Sequence, residues 1–390
     1  MSWRPVRRYR HCSILWTKPD RTGASGGSLF GKVKERVYLD YNATAPLRPE
    51  ARAAMLEAMA VVGNPSSVHA EGRAAKAVVE KARRQVAALV GCAASEVVFT
   101  SGATEAAQVL CNLPQGHVVW VDPTAHDAIL SKAGSSGPPS ETGSQTLAMG
   151  LANSETGILS ALPQRDEGKW LYGAQRVDWL LLDITQAVGR VPFDFKSSGA
   201  DFAILSAHKL GGPKGTGALV VRQGVDITPL TTGGGQEMGR RSGTENIIGI
   251  SGFGAACVAA RADLERGHWE RVKKLRKILE NTLAAEAKTT IFVGIDKERL
   301  PNTSCFATPG WSGERQVIQM DLAGFAISAG SACSSGKVRA STVLRAMGYD
   351  EETASSAVRV SLGLETTEED VRRFAAAWLE KEKKFRARAA

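Results

Sequence analysis

From about residue 37 onward, short continuous apolar runs alternate with longer stretches in which apolar residues recur at helical spacing. Continuous apolar runs are typical of strands that helices cover on both faces of a sheet. The pattern therefore predicts an α/β architecture with a largely parallel sheet. The clearest predicted strands are "EVVFT" (96–100), "VVWVD" (118–122), "WLLLD" (179–183), "FAIL" (202–205) and "GALVV" (217–221).

Two helices are predicted before the first of these strands. Pro49 in "RPEARAAMLEAM" suits the first helical position, where the missing N–H of proline costs nothing. In "RAAKAVVEKARRQVAALVG" the residues Val79, Val86 and Leu89 fall on one helical face. Gly91 is expected to end that helix, because glycine readily adopts the left-handed conformation of a C-cap.

After about residue 246 the pattern changes. Two long helices are predicted over 247–286, followed by short strands in "TTIFVG", "TSCFAT", "FAIS" and "AVRVSLG" and a final helix from "TTEEDVRRF". Thr366 and Glu369 have the spacing of a capping box. We predict a large domain over 49–256, and a smaller α+β domain formed by 37–48 with 257–390. The stretch 131–146 is a loop by composition.

The net charge of +9 is concentrated at the N-terminus, because residues 1–36 hold nine Lys or Arg and only two acids. The remainder carries only +2, which gives a nucleic-acid-binding function little support. The composition of 1–36 fits an organelle transit peptide, and more often a disordered tail. A cytoplasmic location is predicted, with a mitochondrial or other organelle location as the alternative if 1–36 are a transit peptide.

The cysteines and the hydropathy restrict the class of protein further. No apolar run approaches the roughly 18 residues of a membrane helix, so no membrane association is predicted. The six cysteines include no CxxC pair, which indicates a reducing compartment without a disulfide framework and disfavours a zinc site. They are Cys12, Cys92, Cys111, Cys257, Cys305 and Cys333.

The segment "DFAILSAHKLGGPKGTG" places Lys209 at the mouth of a buried strand, directly before a glycine-rich turn. Burial disfavours a charged lysine, so such a residue is costly unless it is used. A Schiff base with pyridoxal phosphate would use it, and Ser206 and His208 would offer donors to the phosphate. Taken alone, the segment favours a surface lysine whose stem lies along apolar surface.

Three further segments offer polar groups at strand ends. "VVFTSGATEAAQVL" leads from a strand into a helix whose first N–H groups and Thr104 could bind a phosphate. In "LLLDITQAVG", the Asp183 carboxylate could hold a pyridinium nitrogen protonated and Gln186 could reach a ring hydroxyl, although Asp183 equally fits a helix N-cap. His126 in "PTAHDAIL" could stack on a cofactor ring, but a lone histidine is more often a solvated or capping residue.

Cys333 lies in "ISAGSACSSGKVRAS", a stretch built almost wholly of Gly, Ser and Ala. A structural thiol usually packs among apolar side chains, which this stretch does not provide. Gly and Ser favour a mobile or tightly turned backbone instead. The residues of this stretch alone leave open why a thiol lies there, and they do not show which group would activate it.

Taken together, the motifs resemble those of the cysteine desulfurase family over about residues 37–375. They occur in the family's order: "YLDYNATAPLRPEA", "GNPSSVHAEGRAAK", "FTSGATEA", "ANSETGIL", "DITQAVG", "SAHKLGGPKGTGAL", "GGGQEMGRRSGTEN", "GSACSSG" and "VRVSLGLETTEED". The resemblance implies a pyridoxal-phosphate enzyme of the aspartate-aminotransferase-like fold (fold type I). It also implies conversion of L-cysteine to L-alanine, with sulfur carried as an enzyme persulfide to an acceptor such as an iron–sulfur scaffold.

The resemblance also implies roles for residues around the cofactor. Lys209 corresponds to the Schiff-base lysine and His126 to the histidine that stacks on the pyridine ring and takes part in catalysis. Asp183 and Gln186 correspond to the partners of the ring nitrogen and the ring oxygen.

The resemblance also assigns residues that bind the cofactor phosphate. Ala103, Thr104, Ser206 and His208 correspond to phosphate ligands, and Thr244 to the threonine that reaches the phosphate of a neighbouring subunit, which implies a homodimer.

Arg359 corresponds to the arginine that holds the substrate carboxylate, with Asn42 and Asn153 as further substrate contacts. A bidentate guanidinium suits a carboxylate. Cys333 corresponds to the catalytic cysteine, on a long loop that resembles the subgroup serving iron–sulfur scaffolds.

At two positions the sequence differs from the family's motifs, which affects the roles that the resemblance implies. Ser154 stands where the family has a second Asn that approaches the ring hydroxyl, and Met238 stands where Arg is common. Neither removes a reacting group, and both could tune rate, substrate preference or scaffold choice. Selenocysteine cleavage and class V transamination remain enzymatic alternatives. A catalytically inactive, cofactor-bound partner in a sulfur-transfer complex is the non-enzymatic alternative.

Overall fold

A computed structural model of the chain describes residues 36–113, 117–135, 144–330 and 340–389. The strands, in chain order, are β1 (Val37–Tyr38), β2 (Val97–Thr100), β3 (Val118–Val121), β4 (Gly134–Ser135), β5 (Gln145–Gly150), β6 (Arg165–Asp166), β7 (Lys169–Tyr172), β8 (Gln175–Val177), β9 (Trp179–Asp183), β10 (Phe202–Ser206), β11 (Gly217–Val221), β12 (Ile291–Phe292), β13 (Thr303–Ala307), β14 (Phe325–Ala326), β15 (Ser328–Ala329) and β16 (Ala357–Ser361).

The helices are α1 (Pro49–Met59), α2 (Ala70–Val90), α3 (Ala103–Ala106), α4 (Asp127–Leu130), α5 (Phe195–Ser198), α6 (Ile247–Glu265), α7 (His268–Glu286), α8 (Gly313–Leu322), α9 (Thr342–Ala346), α10 (Glu351–Ser355) and α11 (Glu368–Ala389). Pro49 opens α1, and Gly91 ends α2 in the left-handed conformation with φ of 76°, so both predicted boundaries are confirmed.

The main sheet has seven strands in the order β2-β11-β10-β9-β5-β3-β4. The central pairs β10–β9, β9–β5 and β5–β3 are parallel, whereas β11 and β4 run antiparallel to their neighbours. The prediction of a largely parallel sheet is confirmed. Because parallel strands end at the same sheet edge, the residues that follow β9 and β10 share one edge.

Both faces of this sheet are covered. Leu182 and Leu205 have no exposed surface and pack with Val86 and Phe253 from α2 and α6. Their neighbours along the strands point to the opposite face and contribute to a second apolar cluster, as the period of two in a strand requires. Burial of each large apolar side chain stabilises the fold by about 1.5–3 kcal/mol.

A four-stranded sheet in the order β12-β13-β16-β15 forms the centre of a separate apolar cluster. Helices α7, α8 and α11 contribute Leu279, Met320 and Trp378, which pack with Phe306 of β13. The short strands predicted after residue 286 are therefore confirmed. The proposed domain limits at 49–256 and at 37–48 with 257–390 stay a prediction.

The crossover between the parallel strands β5 and β9 differs from the predicted alternation of strand and helix. In place of a helix, the chain forms the antiparallel meander β6-β7-β8. Trp170 and Val177 alternate with exposed polar residues and are buried against the main sheet. Gly168 and Gly173 adopt positive φ between the strands, where a tight hairpin turn requires it.

The N-terminus of α11 corrects the predicted capping box. Thr367 and Asp370 form the reciprocal pair, because each side chain accepts the backbone N–H of the other residue. Thr366 instead accepts a hydrogen bond from the backbone of Gly363 and so closes the preceding turn. The sequence offers two adjacent threonines, and only the turn decides which one caps the helix.

Helix α6 is the one helix in the described ranges that is long and apolar enough, by length and composition, to cross a membrane. No such helix was predicted from the sequence. Nine of its residues, among them Ile250, Phe253 and Cys257, are buried in the packed helix, and it contacts α1 and α2. Packing in the core accounts for its apolar composition.

Candidate active site

The carboxyl edge of the main sheet carries the polar residues that the sequence singled out. Asp183 ends β9 and pairs in register with Ile204 of β10, and Lys209 follows β10 after one short turn. Ser206 and His208 lie on the same segment. The parallel pairing thus brings together side chains from two stretches of the chain about 25 residues apart.

The Lys209 side chain is half-buried and points towards the turn that follows β1. Its Nζ donates to the backbone oxygens of Asn42 and Ala43, at 2.7 and 2.8 Å. The two carbonyls hold the amine beside the strand edge. A cavity of about 390 Å³ reaches Lys209 and is bordered by Tyr41, Arg190 and Trp269.

The start of α3 lies against the end of β10. A β-carbon on Gly217 would come within 2.6 Å of the Cα of Gly102, so glycine is required for this approach. A β-carbon on Gly102 would lie 3.8 Å from the Ser206 hydroxyl. The start of α3, with the backbone N–H groups of Ala103 and Thr104, therefore lies near the buried Ser206, and donors of these kinds suit a phosphate.

The imidazole of His208 faces the same region and contacts the Thr44 hydroxyl through Nδ1 at 3.1 Å. Burial, together with the positive charges of Lys209, Lys214 and Arg190, lowers the pKa of His208 to about 4. The ring is therefore neutral at physiological pH. A neutral imidazole can donate one N–H to an anion while accepting at its other nitrogen.

Gln186 is buried one turn beyond Asp183. Its Nε2 donates to the Asn42 carbonyl at 3.0 Å, and its Oε1 accepts from Arg190 at 2.5 Å. The Asp183 carboxylate accepts from the backbone N–H of Thr185 at 2.9 Å, so it also takes the role of a local cap. Arg190 was not singled out from the sequence, because its hydrogen-bond partners are separated by up to about 150 residues.

His126 follows β3 at the start of α4. Its Nδ1 accepts the backbone N–H of Ala128 at 3.1 Å, while the ring itself is exposed. Since Nδ1 acts as the acceptor, the proton of the neutral ring resides on Nε2. The backbone bond fixes the ring orientation, as a stacking residue needs.

Arg359 of β16 is 4% exposed and forms an ion pair with Asp40, at 2.8 Å between Nη2 and Oδ1. Its Nη1 donates to the backbone oxygen of Ser154 at 3.0 Å. Its Nε–H is buried and has no partner among the described residues. A buried N–H without an acceptor destabilises the fold unless a ligand accepts its hydrogen bond. A carboxylate is the ligand whose geometry matches a guanidinium.

The two asparagines predicted to contact substrate occupy different settings. The Asn42 amide donates to Ser154 and Thr303 and accepts from Arg190 and Asn302, so all four of its hydrogen-bonding positions are used. Asn153 caps the turn after β5 by accepting the N–H groups of Glu155 and Thr156. Both residues shape the backbone beside Arg359.

Glu155 is a second buried ionisable residue that sequence reasoning missed. Its Oε2 accepts from the Ser341 hydroxyl at 2.5 Å, and a β-carbon on Gly330 would lie 3.1 Å from the same oxygen. Burial raises the pKa of Glu155 to about 7, against the opposing effects of Ser341 and Arg359. Gly330 and Ser341 flank residues 331–339, so Glu155 joins both flanks of that segment.

The remaining predicted residues are less informative. Thr244 is exposed just before α6. Cys333 and Cys12 lie outside the described residues. The described cysteines are free, and burial raises the pKa of Cys257 and Cys305. Within the described ranges, no group of three or more His, Cys, Asp or Glu side chains could hold a metal ion.

Comparison with known proteins gives the family. The model of the class V aminotransferases matches residues 37–133 and 144–374. Cysteine desulfurases of Cereibacter sphaeroides and of a Frankia strain are each 38% identical to the chain, over 370 and 379 residues. The alignments cover 87% and 86% of this chain, and 94% and 88% of those relatives.

The fold comparison agrees with the sequence comparison. The structure of a NifS-like protein from Rickettsia africae superposes with a TM-score of 0.78 at 28% identity. It covers 90% of this chain and all of that protein. The predicted α/β fold of pyridoxal-phosphate enzymes is confirmed. Together with the donor set at the sheet edge, which fits pyridoxal phosphate, these matches place the chain in the class V aminotransferase family, as a pyridoxal-phosphate-dependent cysteine desulfurase.

Proposed function

We propose that the described sheet edge is where pyridoxal phosphate and L-cysteine bind. The observation that carries this proposal is the position of Lys209 and Asp183 at the ends of two adjacent parallel strands. Lys209 would bind the cofactor covalently, and Ala103, Thr104, Ser206 and His208 would hold its phosphate. When bound, the cofactor withdraws electrons from the substrate Cα, which allows bonds at that carbon and its neighbour to break.

The side chains around it would hold the ring in place and hold or move protons. The Asp183 carboxylate keeps the ring nitrogen protonated through a charge-assisted hydrogen bond, worth about 1.5–3 kcal/mol. Gln186 would donate to the ring oxygen, and His126 would stack on the ring. The Lys209 amine would be the base that removes the proton from the substrate Cα and the acid that later returns a proton.

Arg359 would hold the substrate carboxylate. The open Nε–H beside the Nη groups offers a bidentate face, and the partners of those groups, Asp40 and Ser154, fix the plane of the guanidinium. The thiol of L-cysteine is then directed away from Arg359.

Cys333 would take the sulfur. Its thiolate attacks the substrate sulfur, a new S–S bond forms, and the bond between that sulfur and the substrate Cβ breaks with its electron pair left on carbon. Protonation of that carbon gives alanine. The buried thiols of Cys257 and Cys305 are unsuited to this step, because burial disfavours their thiolates.

Single-turnover reaction with L-cysteine, without reductant, tests this assignment. Mass analysis of the peptide covering residue 333 should show one added sulfur, with one alanine formed per site. Cys333→Ser should abolish sulfur retention, whereas Cys111→Ser, which removes an exposed thiol, should behave as wild type. Sulfur found equally on both peptides, or alanine without protein-bound sulfur, would contradict the role of Cys333.

We further propose that a homodimer delivers the sulfur to an iron–sulfur scaffold or another acceptor protein, in the cytoplasm unless residues 1–36 direct the chain to an organelle. In the dimer, Thr244 would reach the phosphate of the partner subunit, and its exposed position beside α6 is consistent with this. Mixing Lys209→Ala subunits with Thr244→Ala subunits should restore a fraction of activity. A monomer in sedimentation, or no recovery on mixing, would contradict shared sites.

A further inference from the structure

Arg190 is a buried cation without a carboxylate partner among the described residues. It is 5% exposed, yet all its hydrogen bonds go to neutral oxygen atoms. These belong to the side chains of Asn42 and Gln186 and to the backbone of Tyr41 and Lys209. Removing an unpaired charge from water costs several kcal/mol, so the position requires an explanation.

The charges around Arg190 increase that cost. The positive charge of Arg359, on β16, acts on Arg190, and Lys209, whose carbonyl Arg190 binds, carries a second cationic side chain. Asp40, the nearby carboxylate, is already paired with Arg359. Burial, and then the charge of Arg359, lowers the pKa of Arg190 to about 9, so the guanidinium still carries its charge at neutral pH.

The contacts of Arg190 determine the orientation of the Gln186 amide. A guanidinium only donates, so the atom of Gln186 that accepts from Arg190 at 2.5 Å is the oxygen. The amide nitrogen then uses one N–H for the Asn42 carbonyl at 3.0 Å. An amide nitrogen carries two N–H groups, so one N–H of Gln186 remains for a further acceptor.

Arg190 also fixes the backbone of the catalytic lysine. Its Nη2 donates to the Lys209 carbonyl at 2.9 Å, while Lys209 Nζ and Gln186 both donate to the Asn42 carbonyl. Arg190, Gln186, Lys209 and Asn42 therefore form one closed network. A shift of the guanidinium would therefore displace both Gln186 and Lys209, the two residues of this network that are proposed to touch the cofactor.

We propose that Arg190 is a positioning residue, which presents Gln186 and Lys209 to the cofactor and whose unpaired charge the anionic ring oxygen of the cofactor neutralises. The inference rests on the proposed function. It assigns to Arg190 the electrostatic role that Gln186, a neutral amide, cannot fulfil alone. A purely structural arginine would instead stabilise the protein equally with and without the cofactor.

The test compares wild type with Arg190→Gln and Arg190→Lys, each loaded with pyridoxal phosphate. Arg276→Gln is the matched control, because Arg276 is also buried, binds a backbone carbonyl and has a lowered pKa. The readout is the pH at which the visible absorbance of the bound cofactor changes. Removing a positive charge beside a protonated imine nitrogen should raise that midpoint by about one pH unit in Arg190→Gln.

Arg190→Lys keeps the charge and should move the midpoint by less than half as much. A second readout, the increase in Tm on adding pyridoxal phosphate, should be smaller in Arg190→Gln than in the control. It requires only that the apoprotein be soluble, so it also applies to a destabilised variant. A midpoint and Tm increase in Arg190→Gln equal to those of Arg276→Gln would overturn the inference, whereas a wild type that takes up no cofactor would overturn the proposed function instead.

Discussion

The Glu155 carboxylate accepts a hydrogen bond from the Ser341 hydroxyl, with 2.5 Å between Oε2 and Oγ. The same hydroxyl caps α9 by accepting the backbone N–H of Leu344. Gly330 packs against the carboxylate from the other flank of residues 331–339. One buried acid therefore connects the two ends of the segment that contains Cys333 to the turn that carries Ser154, a partner of Arg359.

Glu155→Gln should change how stability depends on pH. Burial raises the folded-state pKa of Glu155 from 4.5 to about 7, so between these pH values the folded protein keeps a proton that the unfolded chain has lost. The stability from this group is fully present below about pH 4.5 and is lost as the pH rises through 7. Glu155→Gln should remove this decline, on the order of 1–3 kcal/mol.

Urea unfolding of the apoprotein between pH 5 and 8 measures this difference. Glu57→Gln, at an exposed position on α1, is the control and should follow the wild-type profile. If Glu155→Gln retains the full wild-type decline, the carboxyl is not the titrating group.

His208→Gln should change the pH dependence of stability in the opposite direction to Glu155→Gln. The folded-state pKa of His208 is lowered from 6.5 to about 4, so the unfolded chain binds the proton more readily than the folded protein. Its contribution is present above pH 6.5 and is lost as the pH falls towards 4. His208→Gln should flatten the acid side of the stability profile, and NMR titration of the imidazole should find no protonation above pH 5.

Arg359→Lys should weaken substrate binding more than catalysis. A lysine cannot reproduce the bidentate face or the simultaneous contacts with Asp40 and Ser154. We expect KM for L-cysteine to rise by about tenfold or more, equivalent to about 1.4 kcal/mol, with a smaller change in kcat. Initial-rate kinetics measure both, and the absorbance of bound cofactor should stay as in wild type. An unchanged KM would remove Arg359 from the substrate site.

Glu237→Gln should lower the free energy of unfolding by about 3–5 kcal/mol, because it removes the buried carboxylate of Arg83 and leaves only a partly exposed one. Glu237 binds Arg83 through both carboxylate oxygens, at 2.7 and 2.9 Å, and also accepts the backbone N–H of Phe99. Glu80 contacts the same arginine from a partly exposed position. Glu80→Gln should therefore cost less than about 1 kcal/mol, and equal losses in the two variants would contradict this account.

The strands that position the site could be predicted because their signal is local. The buried strands over 179–183 and 217–221 have the bounds that their apolar runs predict, and the strand at 202–205 gains only Ser206. The meander between β5 and β9 could not be anticipated from the rule that helices connect parallel strands. Its period-two pattern is short, and the burial of Trp170 against the sheet decides the outcome.

The sequence by itself determined the fold class, the family and the positions of Lys209 and Asp183 at strand ends, because strand ends and motifs are properties of contiguous residues. The tertiary structure alone decided the environments that set their chemistry. The unpaired charge of Arg190, the raised pKa of Glu155 and the open donor of Arg359 each arise from partners distant in the chain. Burial and long-range hydrogen bonding are produced by folding, and no local pattern encodes them.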